Sequence, residues 1–424
     1  MKPVRHTTRN LRGRRRLALT AVSGATALLL AACGGSGFED DGGGAGADAT
    51  SEGPITVLIG SSGDAETKAV RDAVAAWSTE SGVEAEVQVA SDLTQQLAQG
   101  FASGSPADLF YLSTDQLASY ASNGSLEPYA SELANADAFF PALREAFTYE
   151  DEFWCAPKDF STLSLVINSR LWKEAGLTDD DVPTTWEELR TVAEKLTKGD
   201  TTGLVFGPEI QRLGVFLEQN GGGLTNEEGT EATADSAENV EGLTFVKEMM
   251  QDGIAAYSSD VGAGWGGEAF GKELGAMTIE GNWIAGAMEN DFPDVEYQVA
   301  KLPAGTEEAT LQYTNCWGIA AESDNVEGSV SLVEHLTTTE QQMAFAEAFG
   351  VMPSVEEAAG QWKEQFPEMA PFIESADFAK NLPAQEGAAE VIADLNAQLA
   401  TLSNSDPEQI LESVQQNLEP VVSN

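Results

Sequence analysis

ITVLIG (55–60), ETKAVRDAVAAWSTES (66–81), VEAEVQV (83–89) and ADLFYL (107–112) together decide the architecture of this chain. The first and last are short apolar runs, the signature of buried strands. In the second, Val70, Ala73, Val74 and Trp77 share one helical face, and Gly82 ends the pattern. In the third, Val83, Ala85, Val87 and Val89 alternate at period two, as in a strand with one covered face. Leu93, Leu97 and Phe101 mark a second helix before the last run. A β-α-β-α-β series implies an α/β fold, with a parallel sheet covered by helices on both faces. Ligands of such sheets sit beyond the carboxyl ends of the strands, here at residues 61–65 and 113–116.

Working outward to the amino terminus, the first 32 residues read as a targeting segment. Lys2, Arg5, Arg9, Arg12, Arg14, Arg15 and Arg16 precede an apolar run over 17–32 that Thr20, Ser23, Gly24 and Thr26 interrupt. A basic start, an apolar middle and a small-residue end make a signal peptide. The run is too short and broken for a good spanning helix. Arg14 to Leu17 match a twin-arginine signal in part, so this route and general export both stay open. Residues 34–53 are glycine, alanine and acids with little to bury, and read as a flexible tether.

The rest is long enough for two or three domains at ~150 residues each. A hydrophobic content of 42% suffices for real cores. All 69 acids lie beyond the signal, whereas seven of the 22 Lys and Arg lie within it, so the body is more negative than the chain's −47. Nucleic acid is excluded as an expected partner, because phosphate binding needs concentrated cations. Only His6 and His335 occur, and His6 belongs to the signal. A histidine metal cluster is therefore ruled out, a Ser-His-Asp site is disfavoured, and no metal or cofactor is expected. Cys155 and Cys316 lie in the body. In an oxidising compartment they read as one disulfide, with two separate buried thiols as the alternative.

Further strand patterns lie at 163–167, 274–279, 295–300 and 316–321, and helical ones at 329–336, 340–349, 388–399 and 407–418. Thr185 with Glu188 reads as a capping box, and Trp186, Leu189, Val192 and Leu196 as the buried face behind it.

Several segments, in order, resemble the family 1 extracellular solute-binding proteins of the maltose-binding-protein type. They are SPADLF (105–110), ASNGSL (121–126), LSLVINSRLWKEAG (163–176), VPTTWEEL (182–189), GNW (281–283), WGIA (317–320) and GVMPS (350–354). The resemblance implies two α/β lobes joined by several hinge strands, with the ligand between them. The expected first lobe takes residues 54–156 and a return segment, 319–353. The second takes 157–318 and the helices of 354–424. Residues 30–33, Leu-Ala-Ala-Cys, resemble the lipobox of bacterial lipoproteins. That implies cleavage after residue 32, a lipid on Cys33, a tether over 33–53, and a body held at the outer face of the cell membrane. The thiolate is a strong nucleophile suited to such acyl-glyceryl transfer. Cys155 and Cys316 fall where the family places neighbouring hinge strands, so the resemblance favours their pairing.

Sugars offer flat apolar faces and rings of hydroxyls, so their sites need aromatic plates and acceptors. By the resemblance, Trp283 and Trp317 are the plates, while Asn282, Glu66, Asp115 and Asp159 bind hydroxyls. Local roles compete with this: Glu66 and Asp115 also suit helix starts, and tryptophans often serve cores. The expected protein is a monomer and not an enzyme. It captures a neutral oligosaccharide of the α-glucoside type and delivers it to ABC permease subunits. A polyamine, glycerol phosphate or peptide ligand, or a glycoside hydrolase, are the alternatives.

Overall fold

The computed structural model describes residues 53–226 and 229–422; the expected signal, Cys33 and almost all of the tether lie outside them. Strands β1 (Ile55–Ile59), β2 (Ala85–Val89) and β3 (Leu109–Ser113) pair in parallel, with β1 central. Helix Asp64–Ser81 joins the first two and buries Val70, Ala73, Val74 and Trp77, the face read from sequence. It ends where Gly82 takes φ 77°, a left-handed turn that favours glycine. The opening β-α-β-α-β unit is thus as expected.

A small hairpin, β4 (Thr148–Tyr149) with β5 (Glu152–Phe153), precedes a long strand, β6 (Ala156–Asn168). Then follow β7 (Thr202–Phe206), β8 (Ala255–Tyr257), β9 (Gly275–Gly281), β10 (Tyr297–Ala300), β11 (Thr310–Ile319) and β12 (Ala379–Lys380). One sheet runs β2-β1-β3-β11-β6-β9-β7-β8, with β10 added to β6 and β12 to β11. Two strands make the crossing. β11 pairs with β3 over Asn315–Ile319 and with β6 over Gln312–Trp317. β6 then leaves β11 and pairs with β9 from Leu163 onward.

Each half of the sheet has its own core. The first gathers Ile55, Val57, Phe110, Trp77, Trp317 and Leu332. The second gathers Leu165, Ile167, Leu189, Phe216, Leu243 and Leu395. A third cluster around Phe160, Phe270, Trp362 and Phe372 packs beside the crossing strands. Each such side chain is worth about 1.5–3 kcal/mol of burial, so both halves have cores of their own. The capping box forms as read, with Thr185 accepting from the Glu188 amide and Glu188 accepting from the Thr185 amide. This is a mixed α/β fold of two lobes sharing a sheet.

Sequence reading placed a strand at 163–167 and another at 316–321; the structure starts these strands at Ala156 and Thr310. The added residues include Pro157, Lys158, Asp159, Gln312 and Asn315, which do not read as a buried strand. They make the crossing between the lobes. Among the described residues no helix is long and apolar enough to cross a membrane.

Candidate functional site

Residues opposite one another in a ladder share a face of the sheet. Asn315 on β11 is opposite Ser113 on β3 and Asp159 on β6, and Tyr313 is opposite Ser161. Asn315 and Tyr313 are two apart, so these five residues line one face where the strands cross.

At the first-lobe end of this row lies a buried charged cluster. The turn after β1 brings Glu66, in the first turn of its helix, above β3. Its carboxylate accepts from the Ser62 amide and hydroxyl, both at 2.7 Å, and from the Tyr111 hydroxyl at 3.0 Å. The Lys158 ammonium lies 3.4 Å from Glu66 and also bonds Asp159. It sits 4.4 Å from the centroid of the Tyr111 ring. Burial alone would raise the Glu66 pKa, but Lys158 and the bonds from Ser62 and Tyr111 outweigh it and hold the carboxyl below its ordinary range. Burial wins at Asp159, whose pKa is raised despite Lys158. At Lys158, burial is overcome by Asp159 and Glu66, and the ammonium is held above its ordinary range.

The second-lobe end is built on the turn after β9. Glu280, 1% exposed, is the penultimate residue of that buried strand and pairs with Arg212 at 2.8 Å. Its other contact is the Trp283 indole N–H, which donates at 3.0 Å. The Arg212 guanidinium lies 5.2 Å from the indole centroid, and the Tyr313 ring meets the indole near its edge at 5.9 Å. The indole folds across Gly281, where an added Cβ would come within 2.1 Å of it, so this position needs glycine. Trp283 is still 38% exposed, unusual for a large hydrophobic side chain in this chain. Burial raises the Glu280 pKa against the pull of Arg212, whose own charge Glu280 stabilises against burial.

The expected site residues divide as follows. Glu66 and Asp159 come together around Lys158, and Trp283 presents an exposed ring. Asp115 is exposed in the first turn of helix Thr114–Ser122 and accepts from Ser113, which ties it to the edge of the row. Asn282 is buried, and its amide donates to the Gly350 carbonyl at 2.7 Å, bracing the turn that carries Trp283. Trp317 is 1% exposed and meets Tyr111 edge-on at 4.9 Å inside the first core. It packs beside Tyr111, its ladder partner on the same face, and offers no open face. The residues that sequence reading missed are Tyr111, Lys158, Arg212, Glu280, Tyr313 and Asn315. Nothing local marks them, since Arg212 and Glu280 meet across 68 positions of chain. Among the described residues no group of three or more His, Cys, Asp or Glu is placed to hold a metal ion.

A groove of about 1540 Å³ lies elsewhere: it runs from Leu117 and Ala142 to Glu218, Lys380 and Asn381. Arg212 belongs to the first turn of helix Ile210–Glu218, and Glu218 is its last residue, so the groove and the aromatic wall meet opposite ends of one helix. The groove takes in neither Trp283 nor the paired carboxylates, so it is distinct from the clusters at the crossing strands. Burial pushes Glu218 up to about 7, with Lys380 opposing and Glu307 adding to the shift. Between the ordinary carboxylate range and pH 7, folded Glu218 keeps a proton that the unfolded chain has released. Stability therefore falls as pH rises through that window. Glu218→Gln should flatten this slope and stabilise the protein at pH 8 by about 1–3 kcal/mol, allowing for water in the groove. Denaturant midpoints from pH 5 to 8 test it; equal slopes in both proteins would refute the assignment.

Residues 60–343 match the family described as bacterial extracellular solute-binding protein. A Brucella abortus protein described as a binding protein, with no ligand stated, is 24% identical over 341 residues, covering 75% of this chain and 80% of that one. The diacetylchitobiose binding protein DasA of Streptomyces coelicolor is 28% identical over 176 residues, 40% of each chain. Among solved structures, the cyclic alpha-maltosyl-1,6-maltose binding protein of Arthrobacter globiformis superposes with a TM-score of 0.78 at 20% identity, covering 88% of this chain and all of that one. A Listeria monocytogenes substrate-binding protein solved with cycloalternan gives 0.75 at 22%, covering 87% and 98%. At these identities the superpositions establish the fold.

Proposed function

The chain belongs to the bacterial extracellular solute-binding proteins, and from that premise we propose that it captures a neutral oligosaccharide, of the α-glucoside type, for an ABC permease. In this reading the protein is a monomeric, non-enzymatic receptor. A lipid on Cys33 holds it at the outer face of the cell membrane, and residues 33–53 are its tether. The observation that carries the proposal is the exposed Trp283 ring, locked by Glu280 and set against Tyr313, which shares a sheet face with Asp159 and Asn315. A flat apolar plate beside acceptors suits a pyranose face and its hydroxyls.

The charges at the site favour a neutral ligand. Glu66 and Asp159 already hold Lys158, and Glu280 already holds Arg212. A polyamine would have to compete with these internal cations, and a phosphate would find both engaged. Asp115 remains exposed to accept from hydroxyls, Asp159 does so from the floor, and Glu66 acts through Lys158 and Tyr111. Asn282 braces the turn that carries Trp283, and Trp317 packs beside Tyr111. The relatives point the same way, being named for diacetylchitobiose and cyclic alpha-maltosyl-1,6-maltose.

Calorimetric titration of the body with a panel of neutral oligosaccharides tests the reading. A ligand from the panel should bind with little dependence on salt, because no ligand charge is involved. Trp283→Ala should weaken it about tenfold or more, since stacking and burial of the plate exceed 1.4 kcal/mol. Binding that salt abolishes would point to a charged solute. Unchanged affinity in Trp283→Ala would move the site elsewhere.

A further inference from the structure

In a regular strand, neighbours point to opposite faces, so Lys158 and Asp159 should not meet. The ladder between β6 and β11 slips here: Asn315 is opposite Asp159, but Cys316 is opposite Pro157. Lys158 is therefore the extra residue of a β-bulge, which re-aims it toward the side of Asp159. Its ammonium is enclosed by Glu66 and Asp159, with Tyr111 at 4.4 Å and Phe349 at 5.8 Å to the ring centroids. Two carboxylates and two aromatic faces are the chemistry that recognises an amine. This protein fills that cage with its own side chain, 7% exposed, and a Gln342 amide fixes the Lys158 carbonyl at 2.7 Å.

We propose that Lys158 is a specificity-determining residue: a built-in cation that closes the first-lobe floor to aminated sugars and leaves Asp159 to accept from hydroxyls. This rests on the sugar-binding reading above. The residue acts in two ways. It occupies the space an ammonium would need, and it neutralises one of two adjacent carboxylates so that a neutral ligand meets little residual field. Selectivity of this kind depends on a repulsive element as much as on attraction.

The cage can be probed without any sugar. In thermal unfolding of Lys158→Ala, methylammonium chloride should stabilise the variant over the same concentration of sodium chloride, and should leave wild type unmoved. Where the variant folds poorly in plain buffer, refolding yield in methylammonium against sodium reads the same site. Lys158→Arg keeps a cation and should gain nothing from methylammonium. Titration with a glucosamine oligomer and its N-acetylated counterpart reads the specificity. Lys158→Ala should shift the preference toward the amine by about tenfold or more relative to wild type. A Lys158→Ala protein indifferent to methylammonium, or a wild type that favours the amine as strongly as the variant, would overturn the proposal. A wild type that responds to no neutral sugar while the variant still takes up methylammonium would instead count against the sugar reading and leave the cage standing.

Discussion

Replacing Cys155 and Cys316 together by alanine is expected to lower the stability of the body by about 4 kcal/mol while leaving ligand affinity within about threefold. The two cysteines are bonded in the structure, with Cα atoms 5.6 Å apart and a sequence separation of 161. A bridge over so long a loop restricts the unfolded chain strongly; the chain-entropy estimate approaches ~5 kcal/mol, an upper figure because unfolded chains retain some compactness. Both residues are buried in the first core, so the substitutions also leave a small apolar gap. For a body of this size, 4 kcal/mol corresponds to a fall in Tm of roughly 5 °C. Affinity should hold because Cys316 is opposite Pro157 and Leu112, with its neighbour Asn315 on the other face of the strand. Guanidine unfolding of the oxidised protein and the double variant, with binding measured in parallel, tests both halves. Equal midpoints would show that the bridge adds nothing. A large loss of affinity would show that it also sets the lobe geometry.

The disulfide illustrates what can be read from such a sequence and what cannot. Cysteine count and compartment suggested a pair, and the resemblance suggested the place. The opening sheet was legible because its strands and helices carry clean periodicities. The crossing strands were legible only in their apolar halves. Residues 156–162 of β6 include a proline, a lysine and an aspartate, and residues 310–315 of β11 are mostly polar, so neither follows a strand pattern. These stretches contribute much of the site, where local rules give way to function. Trp283 could be placed because it follows a strand end, but its anchors Glu280 and Arg212 are a long-range pairing. Trp317 reads as a plate but lies in the core: it shares the face of Asn315, two residues farther into the first lobe, where packing against Tyr111 leaves it 1% exposed, and such long-range cover leaves no local signal. The partnership of Glu66 and Asp159 through Lys158 depends on a bulge, which leaves no local signal.

Glu280→Ala is expected to cost about 3–5 kcal/mol of stability and to abolish most ligand binding. Removing one partner of a buried ion pair leaves the other charge uncompensated, and Arg212 keeps only 13% of its side chain exposed. The same substitution deletes the acceptor of the Trp283 indole N–H, so the plate loses the bond that fixes its angle. The two consequences can be separated. A double variant, Glu280→Leu with Arg212→Met, removes both charges and fills the space with apolar atoms. Such exchanges are often neutral or stabilising, so most of the lost stability should return. Binding should not return, because Trp283 then has neither its acceptor nor the guanidinium beside its ring. Glu280→Gln should fall between, since its amide oxygen can still accept from the indole while the charge on Arg212 goes unbalanced. Denaturant midpoints and calorimetric titration of the three variants and wild type test both consequences. If the double variant is as unstable as Glu280→Ala, the cost lies in packing around Glu280 and not in an unpaired charge. If the double variant binds like wild type, then Trp283 needs no anchoring, and the aromatic plate acts through its exposed surface alone.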